Sequence, residues 1–258
     1  MPERLNRSWR VVATGLCFAS FGLGGLVLRL VVFPLLAAMV RDPRRRAWRS
    51  RRLIRRSFRL FIAMMSGLGV LSYELRGAER LRRRGLLVLA NHPTLVDVVF
   101  LMAFVERADC IVKGALALNP FTRGPVRAAG FVCNDSGEGL LGDCLASLRD
   151  GGNLIVFPEG TRTPRQGRPR LQRGAAHVAV RGGVDVTPVH IRVEPLTLGK
   201  GEPWWRVPPR RPHFVFEVGD DIPVRHFVGD GVAEPLSVRR LTDHLTHHFA
   251  SENPRAAA

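Results

Sequence analysis

Lysine is almost absent from this chain: its 258 residues include only Lys113 and Lys200. The formal net charge is nonetheless +17, so the excess is arginine, whose planar fork suits phosphate and carboxylate. A surplus of this size points to a polyanionic partner, either nucleic acid or an anionic membrane face. The four cysteines, Cys17, Cys110, Cys133 and Cys144, show no Cys-x-x-Cys spacing. That argues against a disulfide or zinc framework and for buried reduced thiols in a cytoplasm-facing protein. There is no Gly-x-Ser-x-Gly elbow, no Walker-type loop and no strand–GxGxxG–helix unit, so serine-hydrolase and nucleotide chemistry lack support. His244, His247 and His248 have a helix-face spacing, but no carboxylate or cysteine pattern accompanies them; neither a metal nor a cofactor is expected. No internal repeat is visible.

Long hydrophobic runs are present only at the N-terminus. Val11–Leu28 is an uncharged apolar run of 18 residues; after Arg29 a second run reaches Val40 and contains Pro34. About 18 residues is the lower limit for a spanning helix. One tilted span and a two-helix hairpin in one leaflet both fit, and a cleaved signal peptide fits poorly. A basic block follows: Arg41, Arg44, Arg45, Arg46, Arg49, Arg51, Arg52, Arg55, Arg56 and Arg59. Basic residues beside an apolar anchor mark the cytoplasmic side and are drawn to anionic lipid. Nucleic-acid binding is the weaker reading, because Trp48 is nearly the only aromatic available for stacking. Phe58–Tyr73 reads as an interfacial or membrane-packed helix. Residues 1–60 are therefore expected to form a membrane anchor with a basic juxtamembrane segment, and residues 61–258 the globular domain.

From Leu86 onward, short apolar runs alternate with helical patterns. Strands are expected at Leu86–Ala90, Cys110–Lys113, Gly130–Cys133, Asn153–Phe157, Val184–Ile191 and His213–Val218. Helices are expected at Leu95–Phe104, Leu140–Arg149, Gln172–Arg181 and Ser237–Ala250. This is an α/β domain around a single sheet, with ligands expected where strands give way to helices. Pro188 argues that its strand lies at an edge or a bulge. The segment 195–212 reads as a long surface loop whose Trp204-Trp205 pair suits either a membrane interface or local packing.

Four stretches carry chemistry. In Asn91-His92-Pro93-Thr94-Leu95-Val96-Asp97, Pro93 is expected to open a helix, which leaves His92 on the preceding turn. On one helix, residues five apart are separated by about 140° and do not meet; off the helix, His92 can reach Asp97. A carboxylate on one imidazole nitrogen fixes the tautomer and leaves the other free to take a proton. The plainer reading is a turn histidine with Asp97 favouring the helix dipole. In Phe157-Pro158-Glu159-Gly160-Thr161-Arg162, Gly160 permits a tight turn, and Arg162 either grips a phosphate or pairs with Glu159. Lys113, Arg123 and Arg127 are anion-contact candidates or a solvated basic loop. His190, in Val186–Ile191, reads as a packed strand residue.

In this order and spacing the four stretches resemble the glycerolipid acyltransferase family, the 1-acyl-sn-glycerol-3-phosphate and lysophospholipid acyltransferases. Asn91–Asp97 is similar to that family's His-x4-Asp motif and Phe157–Arg162 to its third motif. Lys113–Cys133 resembles the second block and Val186–Ile191 the fourth. The resemblance implies a single mixed-sheet acyltransferase domain flanked by helices, with an N-terminal membrane helix or hairpin. It implies that His92 is the general base, that Asp97 orients it, and that Glu159, Gly160 and Arg162 bind the acceptor; Thr161, Lys113 and Arg123 join them as candidate substrate contacts. The expected reaction moves an acyl group from acyl carrier protein or coenzyme A to a lysophospholipid, best 1-acyl-sn-glycerol-3-phosphate, at the cytoplasmic face of the inner membrane. One departure stands out: where the second motif typically closes with an arginine, Gly130–Cys133 runs into Asn134-Asp135. That leaves a lyso-aminolipid or a carrier-linked lipid as the alternative acceptor. The rival of another class is a non-catalytic basic membrane adaptor or nucleic-acid-binding protein.

Overall fold

The computed structural model describes residues 2–112, 114–134, 139–164, 170–229 and 231–251. The chain opens with α1 (Pro2–Val27), which passes through a π-helical turn at Leu28–Val32 into α2 (Phe33–Met39). Pro34 therefore does not break the apolar run. It sits in the first turn of α2, where a missing N–H costs least, and the widened turn before it absorbs the ring. The result is one helix from Asn6 to Met39 that is long and apolar enough to cross a membrane, and no hairpin forms within it.

The return leg is α3 (Pro43–Gly67), with Asp42 as its N-cap: its carboxylate accepts the Arg44 and Arg45 N–H groups, and Pro43 occupies the first turn. α3 runs back along α1. Phe21 packs on Phe58 and Phe61, and the Trp9 indole N–H donates to the Leu68 carbonyl. The division expected after residue 60 falls inside α3.

Six strands form one mixed sheet: β1 (Ser72–Arg76), β2 (Leu87–Ala90), β3 (Ala108–Cys110), β4 (Asn153–Val156), β5 (Val186–Glu194) and β6 (His213–Val218), in the order β1-β6-β5-β2-β4-β3. All pairs are parallel except β5–β6. The helices after α3 are α4 (Asp97–Phe104), α5 (Gly114–Leu118), α6 (Arg123–Ala129), α7 (Leu140–Arg149), α8 (Gly174–Gly182) and α9 (Glu234–Ser251). β2 and β4 are buried on both faces, which is why they read as unbroken apolar runs. Val88 and Ala90 face one core with Phe100, Phe214 and Phe216; Leu87 and Leu89 face the other with Leu241 and Leu245.

Three strand expectations change. The helix expected over Phe58–Tyr73 ends early: α3 stops at Gly67, and Gly69, at φ +75°, turns the chain into a short edge strand whose outward residues include Glu74 and Arg76. Gly130–Cys133 is not a strand and contributes only the Val112–Cys133 bridge. β5 is an interior strand despite Pro188. Its missing N–H falls beside Gly219, just beyond the end of β6, and Gly219 donates to the Pro188 carbonyl at 2.9 Å. Burial pushes the Cys110 thiol up to about 12 and the Cys144 thiol up to about 11, as fits packed thiols.

Asp221 ties the segment before β2 to the β5–β6 region. Arg83 makes a forked ion pair with it, and Thr187 donates at 2.7 Å. The Arg83 hydrogen bond is the main cause holding this carboxyl below the usual range. A depressed acid stabilises the fold above its unfolded pKa of about 4 and loses that contribution as pH falls through the lower folded value. Asp221→Asn is expected to cost on the order of 1 kcal/mol near pH 7. In denaturation followed against pH, the gap from wild type should close below about pH 4; a gap of constant size would contradict this role.

Candidate active site

β2 and β4 lie side by side in parallel, Leu89 opposite Val156, so their C-terminal ends deliver Asn91–Asp97 and Phe157–Thr163 to one place. Asn91 fastens the first segment. Its side-chain amide donates to the Ile191 carbonyl at 2.9 Å, and its oxygen accepts the Ile191 N–H at 2.7 Å.

Pro93 does not open the helix; α4 begins at Asp97. The Asp97 carboxylate reaches back to accept the Thr94 N–H at 2.6 Å and the Thr94 hydroxyl, and this closes a turn before the helix starts. The expected consequence holds all the same: His92 is off the helix, and its Nδ1 lies 3.0 Å from Asp97 Oδ2. Asp97 is fully buried. Burial pushes its carboxyl up, and the bonds from His92 and Thr94 act against that. With Nδ1–H donated to Asp97, Nε2 is left as the acceptor. The His92 ring stacks on Phe157 at 4.2 Å, yet its side chain stays 17% exposed, so the acceptor nitrogen remains reachable.

Glu159 is buried beneath this pair. Its Oε1 accepts the His92 N–H at 3.1 Å and the Thr163 hydroxyl at 2.6 Å, while Oε2 has no hydrogen-bond partner among the described residues. Burial is the first cause raising this carboxyl, and the charge of Asp97 adds to it. Glu159 and Arg162 do not pair. The Arg162 Nη1 donates instead to the carbonyls of Leu198 at 3.0 Å and Gly199 at 2.8 Å. Gly160, at φ +66°, makes the turn between them, and Thr161 is exposed. Arg123 heads α6, which packs against α3 and the N-terminal helices, and it takes no part in the His92–Glu159 network. Lys113 and Asp135 lie outside the described residues. Asn134 accepts the Gly114 N–H at 3.2 Å. His190 is buried on β5 with its ring against His248 and Phe249, as a packed strand residue.

Sequence reasoning gave no role to Thr163. Its hydroxyl accepts the His92 N–H at 3.1 Å, and its own N–H donates to the His92 carbonyl at 2.7 Å. It thus holds the His92 peptide on both sides and joins it to Glu159. The only sequence signal was its place directly after Arg162. Thr163→Ser keeps the hydroxyl and is expected to retain turnover. Thr163→Val is expected to lower kcat on the order of tenfold with acceptor KM little changed, because it loosens the base rather than the binding surface. Equal kcat in the two variants would remove this role.

A buried carboxylate orienting a half-open imidazole thus stands at the ends of two parallel strands. Residues 72–192 match the family model described as Acyltransferase. Among curated proteins, the 1-acyl-sn-glycerol-3-phosphate acyltransferase of Pseudomonas aeruginosa is 28% identical over 125 residues, 45% of this chain and 48% of that protein. The chain spans about half the length of the curated relative it matches. Among solved structures, the 1-acyl-sn-glycerophosphate (LPA) acyltransferase PlsC from Thermotoga maritima matches with a TM-score of 0.70 at 21% identity, covering 96% of this chain and 99% of that one. At that identity the likeness shows the shared fold, a mixed sheet with flanking helices.

Proposed function

We propose that this chain is a membrane-bound O-acyltransferase that moves an acyl group from a thioester to the hydroxyl of a lysophospholipid, with 1-acyl-sn-glycerol-3-phosphate the best single acceptor. The observation that carries this reading is the His92–Asp97 pair, 3.0 Å apart, with an open ring nitrogen beside the buried Glu159. In the proposed reaction His92 Nε2 takes the acceptor hydroxyl proton as the oxygen attacks the thioester carbonyl carbon. The tetrahedral centre collapses, the C–S bond breaks, and the departing sulfur receives the proton from His92. An ester and a free thiol result, and His92 is returned neutral. The step needs no cofactor beyond the thioester, whose carrier is acyl carrier protein or coenzyme A. Gly160 and Thr161 are exposed on the turn that follows the buried Glu159, and with Arg162 they are the residues we assign to acceptor binding.

The reading places the protein on one membrane face. The helix from Asn6 to Met39 has 34 residues, about 50 Å at helical rise, against roughly 30 Å of hydrocarbon. α3 runs antiparallel beside it, and Arg45, Arg49, Arg52, Arg56 and Arg59 form one exposed stripe on α3 at spacings of three and four. A perpendicular span would carry that stripe into hydrocarbon, at a cost of several kcal/mol per charge by transfer scales. Lying along an anionic leaflet leaves the stripe among headgroups. The cytoplasmic face of the inner membrane supplies such lipid next to a pool of acyl thioesters.

The test is acyl transfer by purified protein in detergent. Labelled acyl–acyl carrier protein and acyl-CoA are offered with lysophosphatidate, other lysophospholipids and a lyso-aminolipid. Transfer to lysophosphatidate is expected. Transfer only to the lyso-aminolipid would move the acceptor class, and transfer to none would overturn the reading.

A further inference from the structure

The loop from Pro195 to Pro209 touches both the N-terminal helix and the catalytic segment. At one end it is fastened to α1. Arg7 donates to the Val207 carbonyl at 3.2 Å, and the buried Arg10 donates to the carbonyls of Pro208 and Pro209. The Trp204 indole lies across Gly15, where a Cβ would sit 3.2 Å from the ring, and 6.0 Å from the Phe18 ring. At its other end the loop is fastened to the active site. The Leu198 carbonyl accepts the Leu95 N–H at 3.1 Å and Arg162 Nη1 at 3.0 Å, and the Gly199 carbonyl accepts the same nitrogen at 2.8 Å. Leu95 is two residues before Asp97, and Arg162 is next to Thr163. Between the two ends, Trp205 is 59% exposed and Arg206 is exposed, and on α1 the residues Val12 and Leu16, which flank Gly15 in sequence, are exposed as well.

An exposed indole, edge-on to a second at 5.6 Å and flanked by arginine and by an apolar helix face, matches the chemistry of a headgroup layer. We propose that the 195–209 strap is a lipid-contact element that seats Trp205 in the headgroups of an anionic leaflet and carries that contact to the catalytic segment through the Leu198 and Gly199 carbonyls. It shares with the proposed function only the attachment to a membrane. The lipid leaflet is favoured over a protein partner by where the strap is seated: Trp204, which meets Trp205 edge-on, lies on Gly15 of the helix that is long and apolar enough to cross a membrane and that exposes Trp9, Val12, Leu16 and Leu23. Contact with lipid holds the strap against α1. Because the strap's carbonyls are the acceptors for Leu95 and Arg162, that also narrows the positions open to the segment carrying His92 and Asp97.

The experiment uses the full chain with Trp9→Phe and Trp48→Phe, which leaves Trp204 and Trp205 as the emitting tryptophans. Vesicles of phosphatidylglycerol and phosphatidylcholine carry brominated acyl chains, and co-sedimentation is read in parallel. Bound protein should lose roughly half of its tryptophan emission and shift to shorter wavelength, as expected for an interfacial indole. Amide exchange at Leu95 should slow when vesicles are added, and Trp205→Ala should remove that slowing while the protein still sediments. Neither readout uses acyl transfer, so their failure is separable from failure of the catalytic reading. Sedimentation without quenching would overturn the strap proposal and leave membrane attachment standing. Absence of sedimentation would overturn both. Emission that ignores lipid but responds to acyl carrier protein would assign the surface to a protein partner and overturn lipid contact. Quenching with unchanged Leu95 exchange would overturn the coupling.

Discussion

His92→Ala is expected to lower turnover by a factor on the order of 100 or more while the protein remains folded and vesicle-bound. The loss follows from the geometry. His92 presents a nitrogen whose tautomer is set by Asp97 at 3.0 Å, and among the described residues no other imidazole lies in the network that joins Thr94, Asp97, Glu159 and Thr163. Removing the ring takes away the proton acceptor and leaves the rest of that network, which is built largely on the His92 peptide rather than its side chain. Steady-state transfer on the best acceptor, with circular dichroism as a check on folding, is the measurement. Near-normal turnover in a folded variant would remove His92 as the base. Asp97→Asn is the companion variant: it keeps the volume but presents an amide to donors from His92 and Thr94, so it should lower kcat through the tautomer rather than through acceptor binding.

The largest expected effect on stability lies well away from the site. Arg51→Ala should destabilise the fold by about 3 kcal/mol, a large share of a typical margin of about 5–15 kcal/mol. Asp109 is 1% exposed, and Arg51 donates to it at 2.7 Å and also to the carbonyls of Ala129 and Gly130. Ser147 and the Cys110 N–H complete the carboxylate's shell. Truncating Arg51 leaves a buried charge short of its counter-ion and detaches α3 from β3 and α6. Thermal unfolding in detergent should show a clear drop for Arg51→Ala and a partial recovery when Asp109→Leu is added, since a matched apolar pair leaves no orphaned charge. A double variant no better than the single would contradict that account. The same contact shows why the ten arginines between positions 41 and 59 do not act alike: Arg51 and Arg55 turn inward to Asp109 and Glu106, while Arg45, Arg49, Arg52, Arg56 and Arg59 stay exposed.

Much of the globular domain was legible because its local signals agree with its tertiary role. α7 and β6 lie where the periodicity put them, and β2 and β4 read as strands because parallel strands covered on both faces need uninterrupted apolar runs. The elements that were misread are those whose neighbours override local preference. Pro34 would end a helix in isolation but follows a π-turn that accommodates it, and Pro188 sits in an interior strand because β6 stops beside it. β1 is short, charged and polar, and it becomes a strand only because β6 pairs with it in parallel.

The sequence alone determined where the candidate groups stand: which histidine comes before a helix, which carboxylate follows it, and the Glu-Gly-Thr-Arg segment at the end of another strand. Those are matters of residue type and spacing within a dozen positions, and local periodicity reports them. Only the tertiary structure decided the company these residues keep. Thr163 holds the His92 peptide across 71 residues of chain, Arg162 turns to Leu198 and Gly199, and Trp204 lies on Gly15. The physical reason is that hydrogen bonds and ring contacts between distant segments depend on how the sheet brings strand ends together, and no local pattern encodes that.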